Sequence, residues 1–345
     1  MTIQGSAPEG IDDVRVGPWL AAHVAGVTPP FRYELITGGR SNLTFRVTDA
    51  GGRRIVLRRP PLGTLLATAH DVVREWRIAA ALADTPVPVA DALAVCDDPA
   101  INGAPFAVTA FVDGVVLDQP EKASAIDNAD RRQLAFHLID VLADLHAVDL
   151  DAVGLAALSR HDGYVERQVR RWSKQWAGSK TRELAVIDDV ERRLVAHMPP
   201  QLGVTIVHGD YRFGNCISDL ERREIVAVLD WELCTLGDPL ADLGHLGIYW
   251  HDPTRTLPLT NDPTSAAGFP SFGELLTRYA ARTGRDVSRI EYYRGFAAWR
   301  LAVIAEGVAS RHLARHPDDT AALRASQDAV LMLAEFAAGA LSNLA

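Results

Sequence analysis

The chain has 345 residues, 48% of them hydrophobic and 23% charged, which suits one large or two ordinary domains and excludes wholesale disorder. Its net charge of −9, from 35 Lys and Arg against 44 Asp and Glu, argues against a general binder of nucleic acid or anionic membranes. A small anionic ligand stays open, because it needs only local positive charge.

The opening MTIQGSAPEG lacks the basic start and apolar run of a secretory signal. A helical lead, Asp12 to Val24, precedes three short β-branched and aromatic runs: Tyr33–Ile36, Leu43–Val47 and Arg53–Arg58. Turn residues Gly38-Gly39 and Asp49-Ala50-Gly51-Gly52 separate them. Thr68–Leu82 reads as a helix, and Ala92–Cys96 and Phe106–Phe111 as strands. Beyond Asp113-Gly114 the pattern is mostly helical: Asp130–Ala147, then two helices over Tyr164–Met198 broken near Ala177-Gly178. Strands Val204–Val207 and Ile225–Leu229 follow, and helices run to the end. Phe296–Ile304, the longest apolar candidate, is interrupted by Arg300 and falls short of the ~18 residues of a membrane span. Cys96, Cys216 and Cys234 form no C-x-x-C pair, which argues against a disulfide framework or a structural zinc site. Together these features predict a cytoplasmic protein with no nucleic-acid or membrane partner. Strands segregated from helices predict an α+β fold. The expected division is a strand-rich lobe over residues 1–113 and a mainly helical lobe over 114–345.

The chemistry is concentrated in VTIVHGDYRFGNCISDLERREIVAVLDWELCTLGDPLADL, residues 204–243. An apolar strand delivers His208-Gly209-Asp210, Asn215 follows five residues after Asp210, and the next strand ends at Asp230. Phosphoryl transfer needs one carboxylate to orient a hydroxyl and accept its proton, and an amide oxygen with a second carboxylate to hold Mg²⁺. The D-x-x-x-x-N spacing followed by an Asp matches a kinase catalytic loop, with H-G-D in place of H-R-D and D-W-E in place of D-F-G.

On these motifs the chain resembles the aminoglycoside phosphotransferase / choline kinase family, whose protein-kinase-like fold is bilobal. It is most similar to the phosphotransferase domains fused to acyl-CoA dehydrogenases, through its GGRSNLTFRV, VLRR and AHDVVRE segments. The resemblance implies ATP and Mg²⁺ as cofactors, Asp210 as catalytic base, Asn215 and Asp230 as Mg²⁺ ligands, and His208 as a brace for the loop. Asp238 and Asp242 lie just after the metal motif, and both are read as structural, with helix capping the expected role.

On the nucleotide side, Gly39, Ser41 and Asn42 lie between two strands, where glycine lets backbone N–H groups approach phosphates. No G-x-x-x-x-G-K-[ST] occurs, so this is not a P-loop protein. The following strand ends in Arg58-Arg59 where kinases place Lys, and the related fused domains often carry Arg there as well. Strand alternation puts Arg58 on the face of Val56 and Arg59 on the face of Leu57, which makes Arg58 the phosphate contact and Arg59 the fallback. Glu75, on the next helix, is its expected partner. Adenine is expected against the backbone of Thr109 to Phe111.

On the acceptor side, residues 164–182 carry six basic residues and one acidic one, a local balance of +5. Arg167, Arg171 and Trp172 on this helix, with Arg300, are the expected acceptor contacts. A basic, Trp-bearing helix suits an anionic acceptor such as a hydroxyacyl-CoA better than a polycationic aminoglycoside. Arg300 is alternatively a snorkelling surface residue. The expected protein is a small-molecule kinase acting on an alcohol. An aminoglycoside, choline or homoserine-like kinase is the alternative within the class, and a nucleotide-binding pseudoenzyme the alternative outside it. His146 is read as a helix closer, and His245 and His251 receive no role.

Overall fold

The structure, a computed structural model, describes residues 7–36, 42–62, 71–254, 257, 263–316 and 318–344. The chain forms two compact units, one of residues 1–114 and 226–232, the other of 115–225 and 233–345. Sheet and helices segregate between them, giving the α+β class expected from the strand and helix signals.

The first unit holds helix α1 (Asp13–His23), strands β1 (Arg32–Leu35), β2 (Leu43–Thr48) and β3 (Arg54–Arg59), helix α2 (Val72–Ala81), strand β4 (Ala92–Cys96), the short helix α3 (Pro99–Asn102) and strand β5 (Phe106–Ala110). The five strands form one antiparallel sheet in the order β1-β2-β3-β5-β4. Period-two alternation sets its core: Phe45 and Val47 of β2, Ile55 and Leu57 of β3, and Phe106 and Val108 of β5 pack against Val16 and Leu20 of α1 and Val24 just after it. Arg59 shares that buried face, where it donates to the carbonyls of Gly10 and Asn102 at 2.7 and 2.8 Å. Helix α2 starts at Val72 because the Asp71 side chain caps it, accepting the Arg74 N–H at 2.9 Å. The N-terminal part of the helix read over Thr68–Leu82 lies outside the described residues.

The second unit contains α4 (Pro120–Ser124), α5 (Asn128–Leu145), α6 (Tyr164–Ser179), α7 (Ala185–Ala196), β6 (Thr205–Val207) and β7 (Cys216–Asp219). After β8 (Glu224–Val228), which passes into the first unit at Val226, come β9 (Thr235–Gly237), α8 (Leu240–Ile248), α9 (Phe272–Thr283), α10 (Ile290–Arg315) and α11 (Thr320–Leu341). Strands β6 and β9 pair antiparallel, with Ile206 opposite Leu236. The α6–α7 break falls after Ser179, next to the expected Ala177-Gly178, and Glu306 holds the following turn by accepting both the N–H and the hydroxyl of Thr181 at 2.6 Å. Every residue of α8 is buried, and Gly244 brings α8 close to α10: a Cβ there would lie 2.5 Å from the Tyr293 carbonyl carbon. Cys96, Cys216 and Cys234 are buried and form no disulfide. Among the described residues, no helix is long and apolar enough to cross a membrane.

Candidate active site

In the second unit, β6 runs into the His208-Gly209-Asp210 loop. Gly209 has φ +87°, and a Cβ there would sit 2.9 Å from Leu233 Cβ, so glycine is required on both counts. The loop is anchored from α8. Asp242, fully buried, accepts the backbone N–H groups of His208 and Gly209 at 2.7 and 2.8 Å. Its Oδ2 also lies 3.3 Å from His146 Nε2, and the other nitrogen of that ring is 2.8 Å from the Tyr279 hydroxyl. Burial pulls His146 below the ordinary histidine range, while it raises Asp242, whose hydrogen bonds from His146 and Gly209 more than reverse the effect. Asp242 therefore braces the loop and does not cap a helix. Asp238 does cap: its Oδ1 accepts the Leu240 N–H at 3.0 Å, while Oδ2 takes the Tyr293 hydroxyl at 2.8 Å.

Asp210 keeps a quarter of its side chain exposed. The Asn215 amide nitrogen donates to its Oδ2 at 2.6 Å, and His208 Nδ1 accepts the Asp210 N–H at 3.2 Å. Its Oδ1 lies 2.6 Å from His245 Nε2 and 3.3 Å from Arg212 Nε. Burial raises the Asp210 carboxyl, but the His245 hydrogen bond and the Arg212 charge hold it well below the usual carboxylate range. The group is an ionised, oriented acceptor, suited to receive a hydroxyl hydrogen.

Two contributors were not read from the sequence in these roles. His245 follows Asp242 by three positions on α8, so both project from one face of a helix that is otherwise apolar. That spacing, inside a helix too apolar to carry polar residues idly, is the signal that could have found it. Arg300, read as an acceptor contact or a snorkelling residue, is 6% exposed and donates to the Gly209 carbonyl at 2.7 Å. It belongs to the support of the 208–210 loop.

In the first unit, alternation along β3 points Arg58 away from Arg59. Arg58 donates to Asp230 at 2.8 Å and stands 3.3 Å from Glu75, whose other oxygen accepts the Asn42 amide at 3.0 Å. Burial works against the charge of Arg58, but Glu75 and Asp230 hold its pKa above the ordinary arginine value. Burial pushes Glu75 up to about 7 despite Arg58, with Asp230 and Glu232 adding to the rise. Asp230 sits at φ +65°, a conformation uncommon outside glycine and least costly for Asp and Asn. Asn42 is buried and orients Glu75. Gly39 and Ser41 lie outside the described residues. Thr109 stands within the sheet opposite Val56 and Ala92, so its backbone groups face neighbouring strands, and Phe111 follows the strand end with its ring 4.5 Å from Arg54.

The basic helix α6 is amphipathic, burying Tyr164, Val165, Val169 and Trp176. Several of its expected contacts are engaged locally. Arg167 donates to the Arg160 carbonyl at 2.9 Å, Trp172 donates to Gln168 at 3.1 Å, and Arg171 lies 5.1 Å from the Trp172 ring.

Among the described residues no cluster of three or more His, Cys, Asp or Glu is arranged to hold a metal. Mg²⁺ does not require one, since it takes one or two carboxylates and completes its shell with phosphates and water. Each unit offers one donor of the right kind: Asp230 a carboxylate in the first, and Asn215, with its nitrogen committed to Asp210, an amide oxygen in the second. Arg58 Nε is buried with no hydrogen-bond partner among the described residues, a donor that a phosphate oxygen would satisfy.

The family model described as "Phosphotransferase enzyme family" matches residues 32–261. Mouse acyl-CoA dehydrogenase family member 10 is 33% identical over 299 residues, covering 85% of this chain and 27% of the relative. Rat acyl-CoA dehydrogenase family member 11 is 32% identical over 317 residues, covering 89% of this chain and 40% of the relative. The chain thus spans well under half the length of these relatives. A crystal structure from Ralstonia eutropha, described as a candidate aminoglycoside phosphotransferase, is 31% identical with a TM-score of 0.81, covering 95% of this chain and 98% of that one. The GDP complex of aminoglycoside 2'-phosphotransferase-IIIa shares the fold at 14% identity and a TM-score of 0.63, covering 95% of this chain and 99% of that one.

Proposed function

The chain belongs to the phosphotransferase enzyme family, and on that premise we propose that it transfers the γ-phosphoryl group of ATP to a hydroxyl of a small anionic acceptor. The observation that carries the reading is the Asp210 carboxylate, part exposed, ionised and held on both oxygens by donors from its own unit. Such a carboxylate is a weak base. It orients the acceptor hydroxyl by accepting its hydrogen bond and takes the proton once bonding to phosphorus has made that proton acidic.

Arg58, oriented by Glu75, contacts the nucleotide phosphates, and Asn42 acts by placing Glu75. Asp230 and Asn215 are the residues that would hold Mg²⁺. When bound, that ion supplies charge neutralisation on the β- and γ-phosphates. Gly39 and Ser41 are assigned to the phosphates on the sequence motif alone, and Phe111 to the adenine.

For the acceptor, Arg212 lies beside Asp210 and over the Tyr249 ring at 5.0 Å, and a small hollow beside the loop is lined by both residues and Trp250. The Arg212 cation beside the base favours an anionic acceptor over a polycation. The names of the longer relatives carry acyl-CoA chemistry, which makes a hydroxyacyl-CoA the acceptor class to try first. Arg167, Arg171 and Trp172 are contacts for the remote part of such an acceptor.

The test is ATP consumption over hydroxyacyl-CoA thioesters, amino alcohols and aminoglycosides, with Asp210→Asn as the blank. We expect turnover with a thioester and a loss of at least about a hundredfold in Asp210→Asn, with Mg-ATP binding kept. Turnover on aminoglycosides alone would reject the anionic acceptor. Full activity in Asp210→Asn would reject the base.

A further inference from the structure

Behind Asp210 stands a second polar pair. His245, 1% exposed on α8, places Nε2 2.6 Å from Asp210 Oδ1, and its Nδ1 lies 3.0 Å from an Arg300 guanidinium nitrogen. That same nitrogen of Arg300 donates to the Gly209 carbonyl at 2.7 Å. A guanidinium has donors only, so Nδ1 must be the accepting nitrogen and the single ring proton sits on Nε2, aimed at Asp210. A second proton on Nδ1 would point straight at a cation.

The other groups around the ring are Asp242, one turn back on α8, and Tyr249, whose ring centroid is 5.0 Å away. Burial pushes His245 below the ordinary histidine range and Arg300 acts in the same sense, against the pull of Asp210. The α8–α10 crossing at Gly244 sets the distance between the two supporting residues, since a side chain there would meet the Tyr293 backbone.

We propose that His245 is a positioning residue for phosphoryl transfer: Arg300 fixes it as the Nε2–H tautomer, and it fixes the Asp210 carboxylate for the acceptor hydroxyl. The inference rests on the reading of Asp210 as the base. His245 and Arg212 both fall on Oδ1, while Oδ2 takes the Asn215 amide and keeps its second lone pair for the hydroxyl. His245 is not a proton relay. Nε2 already carries a proton and Nδ1 faces Arg300, so the proton taken by Asp210 has no acceptor on the ring and is released to solvent.

The experiment has a spectroscopic arm and a kinetic arm. In protein labelled with ¹⁵N-histidine, long-range ¹H–¹⁵N correlations at pH 7.5 report the tautomer of each of the 11 histidines. The resonances lost in His245→Gln identify His245. We expect a neutral Nε2–H ring in the wild type, and a tautomer mixture or imidazolium in Arg300→Met. An Nδ1–H or imidazolium ring in the wild type would overturn the proposal whatever the kinetics.

In the kinetic arm, Mg-ATP turnover is followed with water as the acceptor. His245→Ala should lower kcat roughly 10–100-fold, the scale of one hydrogen bond to a charged group, with KM for ATP little changed. His245→Gln, whose amide N–H can reach the same oxygen, should recover most of that loss, which a purely structural role would not produce. Wild-type kcat in folded His245→Ala, with Asp210→Asn inactive, sinks this inference and leaves the base standing. Wild-type turnover in Asp210→Asn sinks both.

Discussion

Arg58 reaches Asp230 with a 2.8 Å hydrogen bond while standing 3.3 Å from Glu75, so one guanidinium serves two carboxylates. Both contacts fall on one terminal nitrogen, which leaves the other guanidinium donors for phosphate, whereas an ammonium group would have to serve all partners from a single point. Where kinases use Lys, this chain uses the wider reach of Arg to tie the end of β8 to α2. Arg58→Lys should therefore raise KM for ATP, on the order of tenfold, with a smaller effect on kcat. Arg58→Ala should do worse and also cost about 1–3 kcal/mol of stability, because buried Glu75 loses its cation. Steady-state kinetics and urea unfolding separate the two effects.

Glu75 carries a pH signature. Its carboxyl is pushed up from 4.5 to about 7, chiefly by burial, so the folded protein holds this proton more tightly than the unfolded chain does. The associated stability is fully present below about 4.5 and is lost as pH rises through about 7. Glu75→Gln removes the titration. The urea midpoint of the wild type should fall relative to that of Glu75→Gln as pH rises from about 4.5 to about 7, and parallel curves would show an unperturbed carboxyl.

Asp242 makes three hydrogen bonds with none of its surface exposed. In Asp242→Asn, the amide NH₂ must face either a backbone N–H or His146, which leaves a buried donor unpaired. We expect a loss of about 1–3 kcal/mol and a visible drop in Tm. Catalysis should fall with it, since His208 and Gly209 lose their anchor.

Gly209→Ala tests the loop without touching a polar group. The new Cβ would meet Leu233 Cβ at 2.9 Å and its carbonyl oxygen at 3.0 Å, at a backbone angle that L residues rarely adopt. A stability loss of about 1–3 kcal/mol should accompany a fall in kcat of at least about tenfold, as Asp210 moves off its position. An unchanged kcat would show that the loop tolerates displacement.

Much of this organisation is local and therefore readable along the chain. Alternation on β3 separates Arg58 from Arg59, and the structure puts Arg59 in the core side of the sheet and Arg58 beside Glu75. The H-G-D loop and its Asn are contiguous, so their meeting follows from sequence spacing. The roles of Asp242, His245 and Arg300 are different in kind. Their partners on the 208–210 loop lie 33 to 91 positions away and are reached only through the packing of α8 and α10, which no local pattern encodes. Asn42 shows the same limit: a turn residue by composition, it spends its amide on a helix 33 positions downstream.

The seven residues 226–232 return to the first unit after the chain has left it, anchored there by the Val228 N–H on the Pro88 carbonyl at 2.8 Å. The two units are thus stitched by three strands of chain, not one. A fragment ending at residue 114 would lack Asp230 and leave Arg58 and Glu75 without their third member. A fragment starting at 115 would carry Asp230 away from the sheet it packs on. Neither half is a self-sufficient module, so tags, fluorophores or split-protein junctions belong at surface turns within a unit and not at the apparent border near residue 114.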